Sequence, residues 1–180
     1  MSRDLKSKSS VASRTDSIDR FLETALPMFP ALDPDAEATV DRMMKLVKHV
    51  DRLTERTVSQ FGLNTGEFRL LVKLRQSPDG RMSAGALARR LSLSSGAMTN
   101  RLDHLEEDGF VARERDVDDR RSVQVRITPA GLDALTRAIE AQAEEESALV
   151  RALSPEDRRH LNDLLRQLVL SIEGPEDEVC

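Results

Sequence analysis

The segment from Asp116 to Gly131, DVDDRRSVQVRITPAG, constrains the fold of this chain more than any other stretch. Val123, Val125 and Ile127 alternate with Ser122, Gln124 and Arg126, the period of two that a strand with one buried face requires. Thr128 then predicts a helix cap, with Pro129 at the first helical position, where a missing N–H is harmless. Ahead of the strand stand Asp118, Asp119, Arg120 and Arg121, four charges that no core can bury unpaired. The segment therefore demands a charged hairpin tip that projects into solvent or onto a charged partner, a half-buried strand and a helix start in immediate succession.

Helical spacing dominates the rest of the chain. Ile18, Phe21, Leu22, Ala25 and Leu26 predict a short amphipathic helix stopped by Pro27 and Pro30, with order beginning near Thr15. Asp33-Pro34 reads as the cap and first position of a long helix whose apolar face runs through Val40, Met43, Met44, Val47, Val50, Leu53, Val58 and Phe61 to Gly62. Asn64 with Glu67 three residues on forms a capping-box pattern for a helix carrying Phe68, Leu71, Val72 and Leu74. Ser77-Pro78-Asp79-Gly80 is a turn. Ser83 and Ser94 then cap two short helices, the first with Leu87, Ala88 and Leu91 inward, the second with Met98, Leu102 and Leu105 inward before Gly109 ends it. So close a pair predicts a helix-turn-helix. After the hairpin, one helix is expected from Pro129 to about Leu153, and Ser154-Pro155-Glu156-Asp157 opens a last one with Leu161, Leu164, Leu165, Leu168 and Ile172 on one face.

The predicted fold class is mainly α with a small β hairpin: a winged helix-turn-helix carrying helical arms from both ends. The expected segments are a flexible tail (1–14), N-terminal helices (15–62), the winged helix (63–128), C-terminal helices (129–173) and an acidic tail (174–180). Two apolar arms have too little of one small domain to cover. They favour a homodimer over a monomer whose arms fold back on each other.

Charge and composition narrow the function. The net charge of −5 argues at first against a polyanionic partner, yet residues 69–126 hold 12 Lys/Arg against 9 Asp/Glu, a basic middle in an acidic frame. Local sign decides where a phosphate backbone lands. No apolar run approaches the roughly 18 to 20 residues of a membrane span, and no secretion signal opens the chain, so a cytoplasmic protein without membrane contact is expected. The single cysteine, Cys180, builds no internal disulfide or thiolate cage, and reads as an incidental tail thiol. His49, His104 and His160 lack a local ligand set, and neither a phosphate loop nor a nucleophile elbow occurs. No enzyme, metal or cofactor is predicted.

Two motifs together resemble the MarR family of winged-helix transcription regulators, over roughly Val40 to Ile172. Ala86-Leu87-Ala88-Arg89-Arg90-Leu91-Ser92-Leu93-Ser94, followed by Leu102 to Val111, is similar to the family's helix-turn-helix. Asp119-Arg120-Arg121 with Val125 to Gly131 is similar to its wing. The resemblance implies that the second helix of the motif enters the major groove of double-stranded DNA and that Arg121 reaches the minor groove, with Asp119 orienting its guanidinium. Ser94, Ser95, Gly96, Thr99 and Asn100 are then the expected groove-facing positions, small enough for close approach, with Asn100 suited to adenine. Arg113, Arg115 and Arg120 are expected along the phosphates. A two-fold dimer would address an inverted repeat with half-sites about 34 Å apart. Without an activation or enzymatic domain in view, repression is expected over activation by displacement. The competing reading is a winged-helix protein-interaction module that never touches DNA.

Arg101 breaks the inward pattern of the second helix. It reads either as a snorkelling arginine paired with a nearby acid or as the anchor of a small anionic or aromatic ligand. The extra N-terminal helix and Thr99-Asn100-Arg101 are similar to a MarR subgroup that responds to urate through a tryptophan, an acidic residue and this arginine. Here the chain has no Trp, Phe21 lies near the tryptophan position, and Arg69 stands at the acidic one. A related pocket lined by Phe21, Met44, Val47, Phe68 and Met98, with Arg69 and Arg101 favouring an anion, is the resulting expectation.

Overall fold

In the computed structural model, which describes residues 14–115 and 123–173, every described α-helix starts on a short side-chain oxygen. The helices are α1 (Ser17–Ala25), α2 (Pro34–Ser59), α3 (Thr65–Arg75), α4 (Ala84–Arg90), α5 (Ser95–Glu107), α6 (Pro129–Val150) and α7 (Pro155–Ile172). Their caps are Asp16, Asp33, Asn64, Ser83, Ser94, Thr128 and Ser154, each accepting from an N–H of the first turn that has no partner within its helix. Such a cap is typically worth about 1 kcal/mol against alanine. The sequence-predicted helix starts follow directly from these side chains. Among the described residues no helix is long and apolar enough to cross a membrane.

The chain divides into two compact units, with the boundary between Arg52 and Leu53 inside α2. In the first, Asp16 and Asp19 form a reciprocal capping box at the start of α1. Arg42 of α2 bridges both carboxylates, donating from Nε to Asp16 Oδ2 at 2.9 Å and from Nη2 to Asp19 Oδ1 at 2.5 Å. Lys45 adds a bond to the Ser17 hydroxyl. Polar contacts thus tie α1 to α2, while Leu22 and Ala25 are buried.

The second unit holds the core. Leu70, Leu71 and Leu74 of α3, Leu87 of α4, Met98, Leu102 and Leu105 of α5 and Leu135 of α6 cluster with Val111 and Val125 of the sheet. The strands are β1 (Arg81–Ser83), β2 (Val111–Arg115) and β3 (Val123–Ile127), antiparallel in the order β1-β3-β2. Val125 sits opposite both Met82 and Arg113, and Val111 opposite Ile127. The hairpin expected from sequence is therefore two strands of a three-stranded sheet. A three-residue β1 shows no alternation that sequence reading can detect, and it forms because β3 would otherwise leave an unpaired edge.

Two helix ends share one device. After α4, Ser92 adopts φ +52°, and the Leu93 and Ser92 N–H groups donate to Ala88 O and Arg89 O; after α5, Gly109 adopts φ +73°, and Phe110 and Gly109 donate to Leu105 O and Glu106 O. These bonds satisfy carbonyls that have no partner within the helix. Serine in place of glycine at the first end hides the turn from a composition-based reading. Helix α6 ends at Val150, three residues short of expectation, with Arg151 donating back to Ala148 O before the turn to α7.

The start of α6 locks this unit together. Thr128 Oγ1 accepts from the Gly131 N–H at 3.0 Å and donates to Gly109 O at 2.7 Å, and the Thr128 N–H donates to Phe110 O at 3.0 Å. The backbones are so close that a Cβ on Gly131 would lie 2.1 Å from the Phe110 carbonyl oxygen. Gly131→Ala is therefore expected to destabilise the protein by about 1–3 kcal/mol or more, because neither backbone can yield cheaply. Chemical denaturation monitored by circular dichroism measures this directly.

A pH dependence follows from the first unit. The Arg42 side-chain bond, assisted by the Asp19 N–H, holds the Asp16 carboxyl down to about 2 from its ordinary 3.8, against an opposing effect of burial. A depressed carboxyl contributes its stabilisation above the unfolded value and loses it as pH falls through the folded one. Protection of the α1 amides should accordingly be constant above about pH 4 and decay towards pH 2. Hydrogen exchange with Asp16→Asn as reference, in which that part of the decay disappears, provides the check.

Candidate nucleic-acid interface

Helix α5 presents two chemically distinct faces. Met98, Leu102 and Leu105 point into the core, while Ser95, Gly96, Thr99, Asn100 and Asp103 are exposed, as is the cap Ser94. The Ser94 hydroxyl accepts from the Ala97 N–H at 3.2 Å, and Thr99 Oγ1 donates to Ser95 O at 3.0 Å, so both hydroxyls are engaged locally in the isolated chain. A Cβ on Gly96 would meet nothing within 4 Å. No internal packing calls for a small residue there; the small size keeps the outer surface of the first turn low. That profile lets a bulky partner approach the helix start, where free N–H groups favour anions.

Wing strand β2 delivers Arg113 against the side of α5. Its Nη2 donates to Asp103 Oδ1 at 2.5 Å and its Nε lies 3.4 Å from Glu106 Oε2. Along the wing, Arg126 donates from Nε to Glu114 Oε1 at 3.2 Å. Arg115 closes β2. Asp119, Arg120 and Arg121, expected at the wing tip, lie outside the described residues, as do Cys180, the acidic end and most of the basic N-terminal tail. Arg89 and Arg90 were not among the sequence-predicted contacts, yet both are exposed in the last turn of α4, immediately before α5. A basic pair at a helix C-terminus is also what the helix dipole favours, so the pattern alone did not mark them for a partner.

The residues expected around a ligand fall in both units. Phe21, Met44 and Val47 are exposed in the first. In the second, Phe68 is half-buried, Arg69 is exposed, and Met98 is a core residue, 2% exposed. Met98 also lines a 240 Å³ cavity between α4, α5 and the wing strands, together with Ala84, Ala88, Thr99, Leu102 and Val123. Arg101 is half-buried and lies across the first turn of α3, where a Cβ on Gly66 would stand 2.7 Å from its Cζ.

One polar contact joining α5 to α3 was missed. The buried Glu67 carboxylate, which completes the capping box with the Asn64 N–H at 2.9 Å, also lies 3.6 Å from His104 Nδ1. The spacing of Asn64 and Glu67 revealed the cap, but no sequence pattern links either to His104.

The sequence pattern described as the MarR family matches residues 63–123, the helix-turn-helix and most of the wing. The chain is similar to YkoM, an uncharacterized HTH-type transcriptional regulator of Bacillus subtilis, at 32% identity over 139 residues covering 73% of this chain and 88% of that protein. It is similar also to the HTH-type transcriptional repressor YetL of Bacillus subtilis, at 28% identity over 130 residues covering 70% and 78%. Among solved structures, that of Sco3205, a MarR family transcriptional regulator from Streptomyces coelicolor in complex with DNA, superposes with a TM-score of 0.64 at 22% identity, covering 81% of this chain and 96% of that one. The core positions, the helix order and a relative of 32% identity across most of both chains agree: the chain belongs to the MarR family of winged-helix transcription regulators.

Proposed function

We propose that this protein binds double-stranded DNA at an inverted-repeat operator as a homodimer, represses the adjacent promoter, and releases the DNA on binding a small anionic ligand. The observation that carries the DNA reading is the outer face of α5, where Ser95, Gly96, Thr99 and Asn100 are exposed and Gly96 answers to no internal packing. A helix bearing only short side chains at its start can sit deep in a major groove, where Asn100 offers a donor and an acceptor to adenine. Arg121, oriented by Asp119, serves the minor groove in this reading, and Arg115, Arg120, Arg89 and Arg90 serve the phosphates. The DNA seen with Sco3205 supports this mode of action, and the repressor YetL supports its sign.

Helix α7 supports the dimer. Among its residues none is buried, and Leu161, Leu164, Leu165, Leu168, Val169 and Ile172 are between 37% and 82% exposed. An 18-residue helix with an uncovered leucine face costs too much in water to persist alone. A second copy covers it and supplies the two-fold axis that an inverted repeat requires. Arg101 supports the ligand response, because a half-buried guanidinium held against the first turn of α3 lies beside the positive end of a helix, a place that favours an anion.

Gel shift against fragments selected from a random-sequence pool tests the whole reading. A retarded complex on an inverted repeat is expected, weakening steeply with salt; Asn100→Ala should cost about 1–3 kcal/mol and relax the preference at one base pair of each half-site. In the same assay an anionic aromatic compound should dissociate the wild-type complex and spare that of Arg101→Ala. Binding without sequence preference at physiological salt would overturn this reading, and the absence of any retarded complex would favour a protein-interaction module instead. The double variant Leu164→Asp/Leu168→Asp should sediment as a monomer and lose the retarded complex, whereas a dimer persisting in that variant would move the interface off α7.

A further inference from the structure

Arg113 holds α5 by more than one bond. Its main-chain N–H donates to Glu106 Oε1 at 3.1 Å, its Nη2 donates to Asp103 Oδ1 at 2.5 Å and reaches the Thr99 carbonyl at 3.4 Å, and its Nε lies at ion-pair distance from Glu106 Oε2, 3.4 Å, without a hydrogen bond. Thr99, Asp103 and Glu106 follow one another at spacings of four and three, so this single side chain spans about two turns along one side of the helix. Its own position is fixed from behind. Arg113 pairs in register with Val125, which is fully buried in the central strand of the sheet.

These surroundings are the reverse of what a phosphate contact needs. An arginine reserved for phosphate presents an uncompensated, accessible charge, whereas the Arg113 side chain is 25% exposed and has two carboxylates within ion-pair distance. A phosphate reaching it would meet Asp103 and Glu106 as well. The planar fork of a guanidinium, however, suits bonding to a carbonyl and one carboxylate while lying beside a second, which an ammonium cannot match.

We propose that Arg113 is a positioning residue that sets the rotation and height of α5 against the wing, and thereby determines how Thr99 and Asn100 meet the bases. This replaces the phosphate contact expected of it, and it rests on the reading of α5 as the DNA-facing helix. Base-edge hydrogen bonds tolerate little misalignment, whereas contacts to the phosphate backbone carry no sequence information. Loosening α5 therefore removes discrimination and leaves the electrostatic part of binding intact.

The experiment compares wild type, Arg113→Ala, Arg113→Lys and Glu106→Gln on a fragment selected by the wild-type protein and on unrelated DNA, each over a range of salt concentrations. Arg113→Ala and Arg113→Lys should both lower the specific-to-non-specific affinity ratio at least tenfold, with the slope of log affinity against log salt unchanged; Glu106→Gln should shift the ratio in the same direction. A phosphate contact would instead lower the slope by about 1 in Arg113→Ala and be largely restored by lysine. That result, or an unchanged ratio, overturns the proposal. Hydrogen exchange of the Thr99–Glu106 amides without DNA separates this proposal from the DNA reading itself. Faster exchange in Arg113→Lys is expected even if no operator is found, and unchanged exchange sinks the positioning role. Should Arg113→Ala fail to fold, Arg113→Lys and Glu106→Gln carry both measurements.

Discussion

The close approach of the α6 start to Phe110 is the constraint on which the second unit depends. Phe110 follows the end of α5 and precedes β2, so whatever holds it also fixes the exit of α5 and the entry to the wing. Thr128 holds it from β3 through its N–H and its hydroxyl, and Gly131 lets the backbone of α6 descend onto the same carbonyl. A motif that reads locally as a helix cap, Thr-Pro-Ala-Gly, is thus also a three-way junction among helix, sheet and arm. Its glycine is there for space, since any Cβ would overlap a carbonyl oxygen.

From that junction α5 is held on several sides. Its apolar face enters the core through Met98, Leu102 and Leu105. Arg113 grips one flank from the wing, and His104 approaches the buried Glu67 of α3. The side chains of Ser95 and Asn100, with Gly96 between them, are exposed on the face that these contacts leave open. A helix held in this way delivers short polar side chains at a defined angle, which direct readout requires of a recognition element. In this reading the sheet acts as a frame as much as a DNA contact, because β1 and β3 hold β2, and β2 holds Arg113.

Legibility from sequence varied with the range of the interaction. Caps, glycine-terminated ends and the inward face of α5 were readable because each depends on residues within a turn or two, whereas on α3 the expected face of Phe68, Leu71, Val72 and Leu74 left out Leu70, which is fully buried. The α4–α5 turn was found by spacing, although Ser92 gives no compositional sign of its left-handed conformation. β1 was missed, being three residues whose pairing partner lies more than forty positions away. The ion pairs of Arg113 were hidden for a related reason: a run of arginines near a wing suggests phosphate, and nothing local reveals that Asp103 and Glu106 of another element lie beside one of them. Phe21, Met44 and Val47 carried the spacing of a buried stripe, yet they are exposed in the single chain.

By itself, then, the sequence determined the number and limits of most helices, the position of the wing strand and the surface that α5 turns outward, because periodicity and capping are settled by neighbours in the chain. The tertiary structure alone decided which charges remain available to a partner and which are spent internally. It also decided why Gly131 must be glycine and where β1 finds its edge. Those outcomes depend on groups brought together from distant parts of the chain, where a few ångströms separate an arginine with an open charge from one paired with carboxylates.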